Sequence, residues 1–329
     1  MFLIKAKGTN YEQIVYEWLE TKHKEGISND LKEQTYIKYF DTTERVIIPK
    51  LGKEDFGKLN TKIIQKFFDD DEISNMALSS QKTLFYIINA SCQYGIVKGY
   101  KTTIDKIEIK LKTPKPKIVY LTKYEQQKVE ELLNKKKGLK ALGILMCLYT
   151  GLRIGELCAL RWQDVDLRNK CYRIRHTVQR VKNLDKDATS KTKLILSEPK
   201  TPSSKRIVPI PDFLIPILKK YKNNDDIFVF NDKDIPRDTR TFESYFERLL
   251  KKCKIDNINF HALRHTFATR SLEAGMDIKT LSEILGHSSY RITLDIYVHS
   301  SFDLKKDSLN VLVSYLNKGK RKKIDYSVV

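Results

Sequence analysis

Cysteine is scarce in this chain, long apolar runs are missing, and acidic residues are outnumbered. The five cysteines (Cys92, Cys147, Cys158, Cys171 and Cys253) form no Cys-x-x-Cys pair and no Cys/His ligand spacing. That argues against a structural zinc and against a disulfide framework. The histidines also lack carboxylate or thiol partners at ligand spacing, so neither a metal nor another cofactor is expected. The longest apolar run, Ala141 to Tyr149, is far short of the roughly 20 residues a membrane span needs. The opening "MFLIKAKG" is too short an apolar stretch for a signal peptide. A cytoplasmic protein with no membrane partner is therefore expected.

The acidic deficit is the first functional clue. With 61 Lys and Arg against 41 Asp and Glu, the formal net charge is +20. A solvated lysine-rich surface would need no partner; an excess spread along the whole chain favours a polyanion such as DNA. What is present is ordinary for a globular protein: 41% hydrophobic and 31% charged residues over 329 positions, enough for two cores.

The stretch "TPKPKI" (113–118) alternates proline with lysine and reads as a linker. It divides the chain into a helical domain (1–112) and a mixed domain (119–329). In the first, Tyr11, Ile14, Val15, Trp18 and Leu19 share one helical face over 10–21. Further helices are expected from about Lys32 to the breakers Pro49 and Gly52, over about 61–70, and from the caps Ser79 and Ser80 to near Gly99. In the second, Thr122 with Glu125 is a capping-box pattern, and Gly138 to Tyr149 reads as a buried helix. Three strands (170–181, 193–200 and 205–210) follow, with "TPSS" (201–204) as the turn joining the last two. Helices are expected at about 239–252, 261–274, 278–285, 290–297 and 304–316. The fold class is mainly α with a small antiparallel β-sheet. Beyond the basic tail "KGKRKK" (318–323) there is no low-complexity tract.

Three local patterns carry chemistry. "TGLRIGEL" (150–157) sets Arg153 beside Glu156, "HALRH" (261–265) sets His261 three residues before Arg264, and "LGHSS" sets His287 ten residues before Tyr297. Each has a plain structural reading by itself: a helix ion pair, a surface pair, a helix cap, a core tyrosine. Together, and with Lys200 between them, they resemble the tyrosine recombinases, also called phage integrases. That family carries an arginine in an Arg-x-Gly-Glu-Leu context, a hairpin lysine, a His-x-x-Arg box, a Gly-His turn and a terminal tyrosine, in this order.

The resemblance spans about residues 10–316 and implies a site-specific recombinase or integrase of a mobile element. It implies an N-terminal core-binding (SAM-like) bundle and a C-terminal α+β catalytic domain. Tyr297 would be the nucleophile that forms a 3′-phosphotyrosyl intermediate on double-stranded DNA. Arg153 and Arg264 suit the non-bridging phosphate oxygens, His287 would donate to them, and His261 would accept the tyrosine proton. Lys200 would protonate the leaving oxygen, with Lys205 as its rival across the turn. His265 is expected to pack inside, and Glu156 to orient Arg153 or a basic neighbour.

DNA-contact candidates are Gln34, Thr35 and Lys38 on the second helix and Gln81 and Lys82 on the fourth, with Lys205 and Arg206 expected at the DNA backbone. The tail helix (304–316), with its apolar stripe, would pack on its own domain or dock on a neighbouring protomer, giving a tetramer on paired sites. Accessory DNA-bending or excision factors are conceivable partners. Relatives often carry an arm-site domain before the bundle; a chain starting about ten residues before its first helix fits a simpler recombinase or a shortened one. Type IB topoisomerases share the chemistry, and a non-catalytic DNA-binding regulator would share the scaffold.

Overall fold

Apolar residues spaced three and four apart close a helical core in the first hundred positions. The computed structural model describes residues 8–27, 31–104, 107–111, 118–185, 187–199, 202–231, 234–295 and 302–317. Lys200, Tyr297, most of the 113–118 linker and the 318–323 tail lie outside these described residues. The chain divides into two compact units: Met1–Lys117 with Val181–Lys193, and Ile118–Arg180 with Leu194–Val329.

The first unit contains α1 (Tyr11–Ile27), α2 (Glu33–Thr42), α3 (Ile48–Leu51), α4 (Thr61–Asp69), α5 (Asp71–Ser74) and α6 (Leu78–Val97). The stripe Tyr11, Ile14, Val15, Trp18 and Leu19 is buried throughout, and the Tyr11 hydroxyl meets Ser91 Oγ on α6 at 2.7 Å. One π-helical turn (Thr43–Ile47) carries α2 into α3. Asn60 caps α4 by accepting from the amides of Lys62 and Ile63. The expected caps of α6 are corrected: the helix begins at Leu78 with Ala77 at the cap and no side-chain cap bond. Ser79 already lies in the first turn, where its carbonyl accepts from Thr83 Oγ1 at 2.9 Å.

The second unit opens with α7 (Lys123–Asn134), whose Thr122/Glu125 capping box is present. Then come α8 (Leu139–Thr150), α9 (Ile154–Cys158), β1 (Val165–Asp166) and β2 (Cys171–Ile174). β3 (Thr177–Lys182), β4 (Thr192–Ser197), β5 (Arg206–Pro209), α10 (Leu214–Tyr221), α11 (Thr239–Cys253) and α12 (Ala262–Glu273) follow. The last helices are α13 (Ile278–Leu285), α14 (Tyr290–Asp295) and α15 (Phe302–Asn317).

The strand reading needs correction in pairing. The stretch at 170–181 breaks after Ile174 into β2 and β3, and there are two sheets, β1-β2-β5 and β3-β4. β5 pairs antiparallel with β2, from Cys171↔Pro209 to Ile174↔Arg206, so "TPSS" closes no hairpin between β4 and β5. The reason is burial. Tyr172, Ile174 and Val208 enter the core, whereas β4 has no buried residue to offer. On α15, Leu309, Val311, Leu312, Val313, Tyr315 and Leu316 are all exposed.

Candidate active site

Two helices end on left-handed glycines, and those ends build the site. α8 stops at Gly151 (φ +65°) and α13 at Gly286 (φ +65°). Any larger residue would be strained in that conformation. A Cβ on Gly151 would also lie 2.5 Å from Phe267 and 2.6 Å from Leu285. The amide of His287 bonds back to the Ser282 carbonyl at 3.1 Å, closing the α13 turn. The last carbonyls of α13 are thus held in one place and point away from the helix, where cations are favoured.

Three arginines converge there. Arg264 Nη2 donates to the Leu285 carbonyl at 2.7 Å and Nη1 to the Gly151 carbonyl at 2.8 Å. Arg153 Nη1 and Nη2 reach the Leu285 and Gly286 carbonyls, both at 3.3 Å. Arg206 Nε donates to the Ile284 carbonyl at 2.6 Å. One carboxylate serves the group: Glu156, 3% exposed, accepts from Arg153 Nη1 at 2.8 Å and from Arg206 Nη1 and Nη2 at 2.8 and 2.9 Å. Burial would raise the Glu156 carboxyl, but the bonds and charge of Arg206, then the charge of Arg153, hold it down at about 2. Arg264 is only 4% exposed. Burial and the neighbouring Arg153 push it down to about 9, so it remains charged at neutral pH.

The histidines are neutral by the same physics. His287 is pushed down to about 3 by desolvation and then by Arg264, Arg153 and Arg206. His261, at the N-cap of α12 with its residue surface open to solvent, is lowered to about 4. Desolvation comes first among the causes, then His265, Arg264 and Arg153. His265 is half-buried, lies edge-on to His261 at 4.7 Å, and is likewise lowered, by burial and Arg264. A neutral imidazole can take a proton; a protonated one cannot.

Thr293 is the residue that sequence reading passed over. Its fully buried hydroxyl lies 2.8 Å from His287 Nδ1. A buried hydroxyl needs a hydrogen-bond partner, and Nδ1 is one; which of the two donates depends on the ring tautomer. With Thr293 as donor, the ring proton of His287 sits on Nε2, the nitrogen on the other side of the ring. The only sequence signal was a threonine six positions after the histidine, which has no meaning until α14 folds back.

The structure brings Arg153, His261, Arg264 and His287 together. Glu156 orients both Arg153 and Arg206, as its sequence context suggested. Arg206 itself is corrected: its side chain is 6% exposed, committed to Glu156 and Ile284 rather than offered to a DNA backbone. Gln81 is also corrected, being 1% exposed and donating to the Ser74 and Met76 carbonyls at 3.2 and 2.9 Å. Gln34 is buried in α2, on the helix face that packs inward. Thr35 is half-buried, and Lys38 and Lys82 are exposed; Lys38 Nζ reaches Thr83 Oγ1 at 3.1 Å. Lys205 is exposed and paired with Glu198 at 2.7 Å. Ser79, Lys82, Tyr86, Gln93 and Val97 make the solvent stripe of α6.

Three guanidiniums balanced by one carboxylate, beside two neutral imidazoles, leave a net positive centre shaped for a phosphate. Among the described residues, no group of three or more His, Cys, Asp or Glu is placed to hold a metal ion. No helix there is long and apolar enough to cross a membrane.

The phage integrase family matches residues 120–303. A protein named tyrosine recombinase XerC-like, from Caldanaerobacter subterraneus subsp. tengcongensis, is 32% identical over 260 residues, 72% of this chain and 66% of that protein. The transposase from transposon Tn916 of Enterococcus faecalis is 32% identical over 178 residues, 49% of this chain and 42% of that protein. The chain thus spans two thirds of these relatives' lengths at most. The Tn1549 transposon integrase, solved in complex with a circular intermediate DNA, shares the fold with a TM-score of 0.73. It is 21% identical, over 92% of this chain and 99% of that one.

Proposed function

Because the chain belongs to the phage integrase family, we propose that it cuts and rejoins double-stranded DNA at specific sites through a 3′-phosphotyrosyl intermediate. The observation that carries this reading is the meeting of Arg153, Arg264, His261 and His287 around the end of α13. The Tyr297 oxygen attacks phosphorus and the bond to the 5′-oxygen breaks, leaving the DNA 3′-end esterified to the protein. His261 takes the tyrosine proton, and Lys200 supplies a proton to the departing 5′-oxygen. Arg153 and Arg264 hold the non-bridging oxygens as negative charge builds on them, and His287 donates through Nε2. Attack by another strand's 5′-hydroxyl reverses the step and reseals DNA with no external energy source.

The helical domain (1–112) serves as a DNA-clamping domain. Lys38 and Lys82 lie on its exposed surface, and the catalytic domain occupies 119–329. The exposed apolar surface of α15 is suited to a neighbouring copy, so the working form is a tetramer on paired sites. The protein acts in the cytoplasm, integrating or excising a DNA element.

The test is a nicked suicide duplex carrying the sequences that flank the gene. Wild-type protein forms a covalent protein–DNA adduct that survives denaturation, and Tyr297→Phe forms none. An adduct persisting in Tyr297→Phe refutes the assignment of the nucleophile.

A further inference from the structure

Arg206 opens β5 and is the one arginine of the centre for which the proposed chemistry has no direct use. All three of its guanidinium nitrogens are engaged. Nη1 and Nη2 grip the two oxygens of Glu156 at 2.8 and 2.9 Å, and Nε donates to the Ile284 carbonyl at 2.6 Å. Gly286 makes room for its stem, since a Cβ there would lie 2.8 Å from Arg206 Cδ. Arg153 makes one side-chain bond to Glu156, to Oε1 at 2.8 Å, beside its longer 3.3 Å bonds to the Leu285 and Gly286 carbonyls, and about a third of its side chain stays open.

We propose that Arg206 is a positioning residue that occupies the fork of Glu156 so that Arg153 remains free to hold the scissile phosphate. The inference rests on the recombinase reading above. Arginine and carboxylate prefer a two-bond, fork-on-fork pairing, and Glu156 lies only three residues from Arg153. Without Arg206, each oxygen of the buried carboxylate keeps one donor, Arg153 Nη1 on Oε1 and the Arg153 amide on Oε2. Each loses its second donor and the balancing charge, which is costly. Arg153 turns its own fork onto Glu156 and leaves the phosphate. The charge balance moves the same way: Arg206 cancels Glu156, leaving the charges of Arg153 and Arg264 for the substrate.

The experiment is single-turnover cleavage of the nicked duplex with either a normal scissile phosphate or a methylphosphonate. In the latter a methyl group replaces one non-bridging oxygen, so the ester is neutral and its transition state carries one negative charge fewer to be neutralised. Arg206→Met should cleave the phosphate about 100-fold more slowly, the scale of one lost oxyanion donor, while still binding the duplex. On the methylphosphonate the defect should shrink to below about tenfold. Arg206→Met combined with Glu156→Gln should recover about tenfold on the phosphate, because the competing carboxylate charge is gone.

Wild-type rates in Arg206→Met, an equal defect on both substrates, or a double variant no faster than the single each overturn the proposal. A purely structural role would slow both substrates alike. Should Arg206→Met not fold, Arg206→Lys keeps the charge and carries the same substrate comparison. Absence of any Tyr297-dependent adduct with wild-type protein refutes the recombinase reading itself, a separate outcome.

Discussion

The arginines around the end of α13 and the lysines on the outside of the helical bundle carry the same charge under opposite conditions. Arg264 is 4% exposed and bonded to two carbonyls; Lys82 is exposed. A buried cation cannot remain where it is without fixed acceptors, so its position is set before any ligand arrives. A surface cation is screened within about 10 Å at ordinary salt and acts as one small contribution among many. The total of +20 describes the second kind. The first kind decides chemistry, and it is nearly invisible in a charge count.

The sharpest way to break this comparison is Arg264→Lys, which keeps the charge and removes the two-carbonyl anchorage. Single-turnover cleavage should fall about 100- to 1,000-fold with duplex binding retained; a mild effect would mean that charge alone suffices. Next comes Thr293→Val, which leaves the His287 ring without its Nδ1 partner. Cleavage should slow by about tenfold, the scale of a lost ring-orienting bond, and Thr293→Ser should restore it. Side-chain ¹⁵N spectra should show the His287 proton shared between both nitrogens in the valine variant and on Nε2 in the wild type. The smallest effect belongs to the surface. Lys82→Ala should lower the slope of log affinity against log salt by about 1, with no change in cleavage rate once DNA is bound. A changed cleavage rate there would erase the distinction between the two kinds of charge.

The reacting arginines and histidines were legible because each lies in a short local pattern: Arg153 before Gly-Glu-Leu, His261 and Arg264 three apart, His287 after a glycine. The helices were legible because their apolar spacing is local too. What could not be read depends on a partner far along the chain. Arg206 looked like a free basic residue beside a turn until Glu156, 50 positions earlier, was found against it. Gln81 looked like a polar helix face until the carbonyls of Ser74 and Met76 took its amide. The pairing of β5 failed in the same way: the nearer strand, β4, has no core face, and β2, on the far side of β3 and β4 in the chain, does. Lys200 and Tyr297 lie outside the described residues, so their places rest on sequence.

The anchors at the end of α13 are main-chain carbonyls of Ile284, Leu285 and Gly286, which every amino acid supplies in the same form. Exposed side chains along this helix, such as Lys279, Thr280 and Glu283, are therefore free to drift in evolution without loosening the arginines. The requirement is that the helix forms and stops at the same place. Length is the vulnerable property. A single-residue insertion within α13 would turn its end by about 100° and aim those carbonyls elsewhere, undoing with one codon what many substitutions would leave intact.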